Sequence, residues 1–234
     1  MSTHTRHVQS GFTLIEMAVA LLIVVLLLGS LLGPLSTQVE SRKIAEAQRG
    51  LDQINEALVG FALAQTPPRL PCPDTNNDGV EDPVGGGCTL AGLEGNVPWV
   101  TLGISGIDPW GSFYRYRVTQ AFAQVGGFNL TTAGTISVCT TNTCNPASTV
   151  LTNSAPAVVL SHGPNGRGAT NAATLLANPA PAAADETENL DGDTILVSRT
   201  KSETGSVAGE FDDLVQYVSV NVLRSRLVSA QKLP

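Results

Sequence analysis

One stretch of this chain has the residue types and spacing of a calcium-binding loop. Asp74, Asn76 and Asp78 stand at alternate positions, and Gly79 follows them. This order matches the first half of an EF-hand-like loop, in which side-chain oxygens bind the ion and glycine allows the sharp turn. The glutamate that would complete an EF-hand is missing, because Gly85 stands at its position. The pattern therefore fits a calcium site or an Asx-Gly turn.

A second acidic stretch lies between Asp185 and Asp193 and contains no basic residue. Carboxylate oxygens are the ligands that hard cations prefer. An acidic surface loop would have the same composition, so the stretch predicts either that loop or a cation site.

The four cysteines fall into two local pairs, Cys72 with Cys88 and Cys139 with Cys144. An even number of cysteines at short spacing in a secreted domain is typical of disulfides. Zinc is the alternative, but the spacings match a zinc motif loosely, and the chain has only three histidines. We expect both pairs to be disulfide-bonded.

The neighbouring residues Ser161 and His162 are the one pair that could act as nucleophile and base. Adjacent side chains on a strand point to opposite faces, so these two cannot pair directly. No third orienting group and no nucleophile-elbow motif accompany them in the sequence. We therefore predict that the chain is not an enzyme.

The composition limits the partners of the chain. Its formal net charge is −7 over 234 residues. Nucleic acid is not an expected partner, because duplex binding requires clustered Lys and Arg to displace counterions.

The N-terminus combines a short polar segment with a long apolar one. Residues 1–11 end in Gly11, and the run from Phe12 to Gly33 is apolar except for one charge, Glu16. As a helix these 22 residues extend for about 33 Å, enough to cross a hydrocarbon layer of about 30 Å. A secretory signal is cleaved after its apolar core, whereas here the polar-to-apolar boundary itself has the features of a cleavage site.

The junction Gly11-Phe12-Thr-Leu-Ile-Glu16 resembles the signal of type IV prepilins and type II secretion pseudopilins. The resemblance implies that a membrane peptidase cleaves after Gly11 and methylates the new amine of Phe12. It also implies that Glu16 pairs with the Phe12 amine of an adjacent subunit during assembly. The alternative is a glutamate tolerated at the membrane interface, where a charge costs less than at the centre.

Two motifs further along resemble pseudopilins as well. Asp108-Pro-Trp-Gly111 matches their DPWG turn, and the segment from Ser161 to Gly166 matches the S-x-G-x-[DN]-G turn. Major pseudopilins bind calcium in the loop after the second turn. The matching stretch implies an alternative calcium site formed by Glu188, Asp191 and Asp193.

The remaining pattern predicts an α+β, pilin-like fold, in which a long N-terminal membrane-spanning helix packs on an antiparallel β-sheet head. After the apolar run, apolar residues recur at helical spacing up to Phe61, and the Pro-rich segment from Thr66 ends the helix. We expect local melting or a kink near Pro34. Strand-like runs occupy residues 113–118, 135–139, 157–161, 194–198 and 214–220, and a short helix is expected within 221–232.

The sequence thus divides into a leader peptide (1–11), a transmembrane or filament-core helix (12–35), its amphipathic half (36–65) and a β-rich head (66–234). We expect a structural pseudopilin or minor pilin, anchored once in the inner membrane with its head in the periplasm, in a periplasmic or surface filament. Its expected partners are prepilin peptidase and other pilin or pseudopilin subunits. A tip pilin or adhesin-type module that binds a secreted substrate or a surface is the alternative.

Overall fold

The computed structural model describes residues 12–233, without the side chains of residues 28–36. The predicted leader peptide and Gly11 lie outside the described residues. The chain divides into two compact units, Met1–Arg42 and Lys43–Pro234.

The first helix, α1, extends from Leu14 to Ala64. Its start is set by a reciprocal capping box, in which Thr13 N donates to Glu16 Oε2 at 2.8 Å and Glu16 N donates to Thr13 Oγ1 at 3.3 Å. The helix is unbroken at Pro34, so the local melting expected there is not seen. In the part of the chain that the structure describes, no helix combines the length and apolar character needed to cross a membrane.

Three further α-helices and seven strands follow in the described part of the second unit, residues 43–233. The helices are α2 (Trp99–Leu102), α3 (Ala184–Glu188) and α4 (Val220–Ser229). The strands are β1 (Glu94–Asn96), β2 (Arg115–Val118), β3 (Ile136–Cys139), β4 (Val150–Ala155), β5 (Ala157–Ser161), β6 (Ile195–Val197) and β7 (Leu214–Tyr217).

These strands form two sheets. The first is antiparallel, with the order β1-β2-β5-β7, and the second has the order β4-β3-β6. In the second sheet β3 pairs antiparallel with β4 but parallel with β6. The architecture is therefore mixed α+β with the expected antiparallel sheet, and the second sheet adds one parallel pair, β3 with β6. Periodicity predicts a strand but not the direction of its neighbour, which depends on the path of the connecting chain.

The main core lies between the second half of α1 and the four-stranded sheet. Leu51, Ile54 and Leu58 recur at helical spacing and are almost fully buried. They belong to one cluster with Tyr114 and Tyr116 of the segment that enters β2, and with Leu223 and Leu227 of α4. The predicted amphipathic face of α1 therefore covers this sheet.

Apolar and charged residues alternate from Phe113 to Val118, which predicts a strand with one solvated face, but the arginines of β2 are not solvated. Arg117 is buried, and Arg115 is half-buried. Both guanidinium groups form ion pairs with Glu94 on the neighbouring strand β1. A short polar strand such as β1 carries no hydrophobic period, so the sequence does not predict that Glu94 pairs with these arginines.

The cysteines are bonded in the two predicted pairs. The Cα atoms of Cys72 and Cys88 are 5.4 Å apart, and those of Cys139 and Cys144 are 5.3 Å apart. The first pair belongs to the main core, where it ties the chain after α1 to the loop before β1.

Two glycines of α1 give a matched test of the helix–sheet contact. A Cβ built on Gly50 would lie 2.9 Å from Cζ of Tyr114, whereas nothing lies within 4 Å of a Cβ on Gly60. Gly60→Ala should stabilise the protein by about 0.5–1 kcal/mol through helix propensity. Gly50→Ala should destabilise it by about 1–2 kcal/mol, because overpacking outweighs that gain.

Urea unfolding followed by tryptophan fluorescence measures both effects, since both tryptophans, Trp99 and Trp110, lie in the second unit. Equal stabilisation by the two alanines would contradict the close packing of Tyr114 on the helix.

The two disulfides should differ in their contribution to stability. The Cys72–Cys88 bond closes a separation of 16 residues and the Cys139–Cys144 bond one of 5. In the chain-entropy model, replacing the first pair by alanines should cost about 3 kcal/mol and replacing the second about 2 kcal/mol. The same unfolding measurement compares the two double variants. A larger loss for the second pair would show that loop closure does not set the order.

Candidate functional site

The most unusual surface of the chain is the apolar start of α1. All twelve large hydrophobic side chains between Phe12 and Leu27 are exposed, from 48% at Val24 to 90% at Leu14. Soluble monomers rarely expose contiguous apolar patches of this extent, and such patches mark protein or membrane contacts. Contacts outside the first unit are therefore needed to remove this apolar surface from water.

Glu16 is the single acid in this apolar segment. Its carboxylate accepts hydrogen bonds from the backbone N and the hydroxyl of Thr13, both at 2.8 Å. The isolated chain thus places the negative charge at the first turn of α1, where the helix dipole favours it. This position is one turn from Phe12, the residue predicted to become the new N-terminus.

The Asp74 loop has the shape of a hydrogen-bonded turn. Oδ1 of the buried Asp74 accepts from the backbone N of Asn76 and Asn77, and Oδ2 accepts from that of Gly79. Asp78 Oδ1 accepts from Val80 N at 2.8 Å. Burial raises the pKa of Asp74, and these amide hydrogen bonds oppose the rise. Asp74 and Asp78 thus hold an Asx-type turn together through the chain's own amides, and calcium binding by Asp74, Asn76 and Asp78 stays a prediction.

The alternative acidic group is brought together by the fold. Glu188, Asp191 and Asp193 each offer a carboxylate oxygen within 4.8 Å of the others. Asp191 and Asp193 are exposed, and each accepts a hydrogen bond from the backbone N two residues later. Burial, followed by the charges of Asp193 and Asp191, raises the pKa of Glu188. The cluster is compatible with a cation and equally with a solvated acidic loop.

The two turn motifs of the sequence meet in the structure. The hydroxyl of Ser161 donates to Asp108 Oδ2 at 2.6 Å, while Oδ1 of the same aspartate accepts from the backbone N of Trp110 and Ser112. Gly111 adopts φ +89°, as its place in the turn requires. Ser161 is thus a structural link to the Asp108 turn.

The side chain of His162 has a different partner from that of Ser161. Its Nδ1 lies 3.5 Å from Asp213 Oδ1, and the side chain is buried. The neighbouring serine and histidine therefore have separate partners and do not form a nucleophile–base pair.

Sequence reasoning missed one acidic group altogether. Glu186, Asp212 and Asp213 are buried together, although Glu186 is 26 positions from Asp212. The available signal was the pair of consecutive acids, Asp212 and Asp213, directly before the strand-like run 214–220.

Comparison with known proteins finds one match. The family model described as the prokaryotic N-terminal methylation motif matches residues 6–32. Neither a search of curated proteins nor a search of solved structures found a match.

The match identifies residues 6–32 as the prepilin-type cleavage and methylation signal of pilins and pseudopilins. It indicates a structural pilin-type subunit rather than an enzyme. It also implies processing by prepilin peptidase, assembly with other pilin subunits and a membrane-anchored precursor.

Proposed function

We propose that the chain is a structural subunit, a pseudopilin or minor pilin, of a type II secretion or type IV pilus-like filament. In this proposal prepilin peptidase cleaves between Gly11 and Phe12 and methylates the amine of Phe12. The mature helix then anchors the subunit in the inner membrane, with the head in the periplasm, until it enters the filament. The observation that carries the proposal is the methylation motif at residues 6–32.

The exposed apolar helix supports this assignment on physical grounds. Its twelve large hydrophobic side chains gain about 25 cal/mol for each Å² that is removed from water. Lipid before assembly and neighbouring helices after assembly would both remove this surface from water. The apolar surface of the helix therefore stays out of water when the subunit moves from the membrane into the filament.

Glu16 supports a specific step of the assembly. A carboxylate in a filament core of packed helices is costly unless a positive group neutralises it. Cleavage creates such a group, because the amine of Phe12 becomes free only when residues 1–11 are removed. Pairing of Glu16 with the Phe12 amine of a neighbouring subunit would neutralise both charges. Only cleaved subunits could then assemble into the filament.

The processing step is tested by intact-mass analysis of the full chain extracted from cells that contain a prepilin peptidase. We expect the loss of residues 1–11 and the addition of one methyl group. Gly11→Ala should leave the precursor uncleaved, because the larger side chain obstructs the peptidase at the scissile bond. Ser10→Ala, the matched change one position earlier, should be processed normally.

Retention of Met1 in the wild-type protein would contradict the proposal, as would equal processing of the Gly11→Ala and Ser10→Ala variants.

A further inference from the structure

The strand β7 lies at one edge of the four-stranded sheet. Directly after it, Val218 N donates to the carbonyl of Ala157 at 2.9 Å. Hydrogen-bonded and non-hydrogen-bonded residue pairs alternate along an antiparallel ladder, so the N–H and C=O groups of Val215 and Tyr217 point away from β5. Among the described residues, the one hydrogen bond to these outward groups is a long one, from the hydroxyl of Ser198 to the carbonyl of Val215 at 3.5 Å. The outward N–H groups of β7 are therefore free to pair with another strand.

The chain closes or interrupts its other sheet edges with its own groups. At β1, the backbones of Asn96 and Asp74 exchange hydrogen bonds at 2.8 and 3.0 Å. At β6, the side-chain amide of Asn189 donates to the carbonyl of Val197 and accepts from its N–H, as a neighbouring strand would. The pairing of β4 with β3 contains two register shifts, and such irregularities hinder the addition of a further strand. The edge of β7 has none of these three features in the described chain, so it is the edge that can accept another strand.

A groove lies between this edge and the second half of α1. Two adjoining hollows of about 430 and 300 Å³ share Asp52 and Gln216, and together they follow residues 214–218. Leu51 and Val59 of the helix line the same groove. Successive side chains of a strand point to opposite faces, so every second side chain of a strand added to β7 would face α1 across this groove.

The groove contains a hydrogen-bond acceptor that the chain itself does not satisfy. Oδ1 of Asn55 is buried and has no partner within the described residues, and Asn55 lines the groove. A buried acceptor without a partner costs stability. An N–H or O–H group of an incoming peptide would satisfy it, whereas a purely apolar molecule would not.

The charges of the groove favour a basic residue in the added strand. Glu56 forms an ion pair with Arg226, and Arg199 forms one with Asp185. Asp52, at the centre of the groove, accepts a hydrogen bond from a neutral amide at 2.7 Å and has no ion pair within the described residues. A Lys or Arg side chain that faces α1 would supply the positive charge that Asp52 lacks.

We propose that the edge of β7 binds an extended peptide segment of a partner protein as an added strand, with a Lys or Arg of that segment facing Asp52. Backbone hydrogen bonds to Val215 and Tyr217 would provide affinity, and the side chains in the groove would provide specificity. This binding does not depend on the proposed role of the N-terminal helix, because all the residues involved lie after Lys43.

The test is fluorescence anisotropy of a fluorescein-labelled synthetic hexapeptide in which lysine and valine alternate, titrated with the full chain in a neutral detergent. All the lysines of this peptide lie on one face of a strand. We expect saturable binding that empty micelles do not give. The same peptide with alternate backbone amides methylated keeps its charge but loses donors to the edge, so it should bind at least about tenfold more weakly, as should a peptide with glutamate in place of lysine.

Variants of the protein locate the site. Tyr217→Pro and Val215→Pro each remove one outward N–H and no bond to β5, and edge strands tolerate proline. Each should weaken binding about tenfold, and thermal unfolding shows whether the variant is folded. Asp52→Asn should weaken binding several-fold, whereas Asp191→Asn, the matched change at an exposed acid outside the groove, should bind like the wild type.

The absence of saturable binding would overturn the proposal, and so would equal binding of the methylated peptide or unchanged binding by a folded proline variant. Equal weakening by Asp52→Asn and Asp191→Asn would show general attraction to an acidic protein and would also contradict it. Dimerisation of the wild type that Tyr217→Pro abolishes, without peptide binding, would assign the edge to a second copy of the chain instead. If neither proline variant folds, the methylated peptide and the two asparagine variants decide the test.

Discussion

Burial of one face of α1 against the four-stranded sheet is the interaction on which the rest of the second unit depends. Leu51, Ile54 and Leu58 provide the apolar face, and the sheet provides Tyr114 and Tyr116. The hydroxyl of Tyr116 donates to the carbonyl of Pro71 at 3.1 Å, so the same ring also fixes the chain that leaves the helix. The first disulfide and α4 join this core. The two turns and the buried acids are held at the ends of strands that this core positions.

The first turns of α1 have the opposite character. Their large hydrophobic side chains are exposed, whereas Leu51, Ile54, Leu58 and Val59 further along the helix are buried. The helix α1 thus has two apolar surfaces. The first lies at its start and is exposed, and the second, around Leu51, packs on the four-stranded sheet. In the proposed function the first surface makes the membrane and filament contacts. Under the proposed assembly, Glu16 determines when this exchange can occur, since its neutralising partner exists only after cleavage.

The sequence predicted the features that depend on local pattern. The five strand-like runs contain β2, β3, β5, β6 and β7, and the apolar face of α1 and the cysteine pairing have the predicted form. Strands β1 and β4 were missed, because the first is polar and three residues long and the second is mostly half-buried or exposed. The contact of Ser161 with Asp108 and the meeting of Glu186 with Asp212 are long-range. Such contacts depend on sheet order, which periodicity does not contain.

The central claim is that Glu16 draws processed subunits into a filament through its charge. Cross-linking of intact cells, followed by immunoblotting for the head, measures this directly in wild type, Glu16→Gln and Glu203→Gln. Glu203 is an acid of the second unit with a side chain that is 85% exposed, so its variant controls for the loss of one charge. The account predicts a ladder of subunit multiples for wild type and Glu203→Gln, and cleaved monomer in the membrane for Glu16→Gln. An unchanged ladder for Glu16→Gln would contradict it.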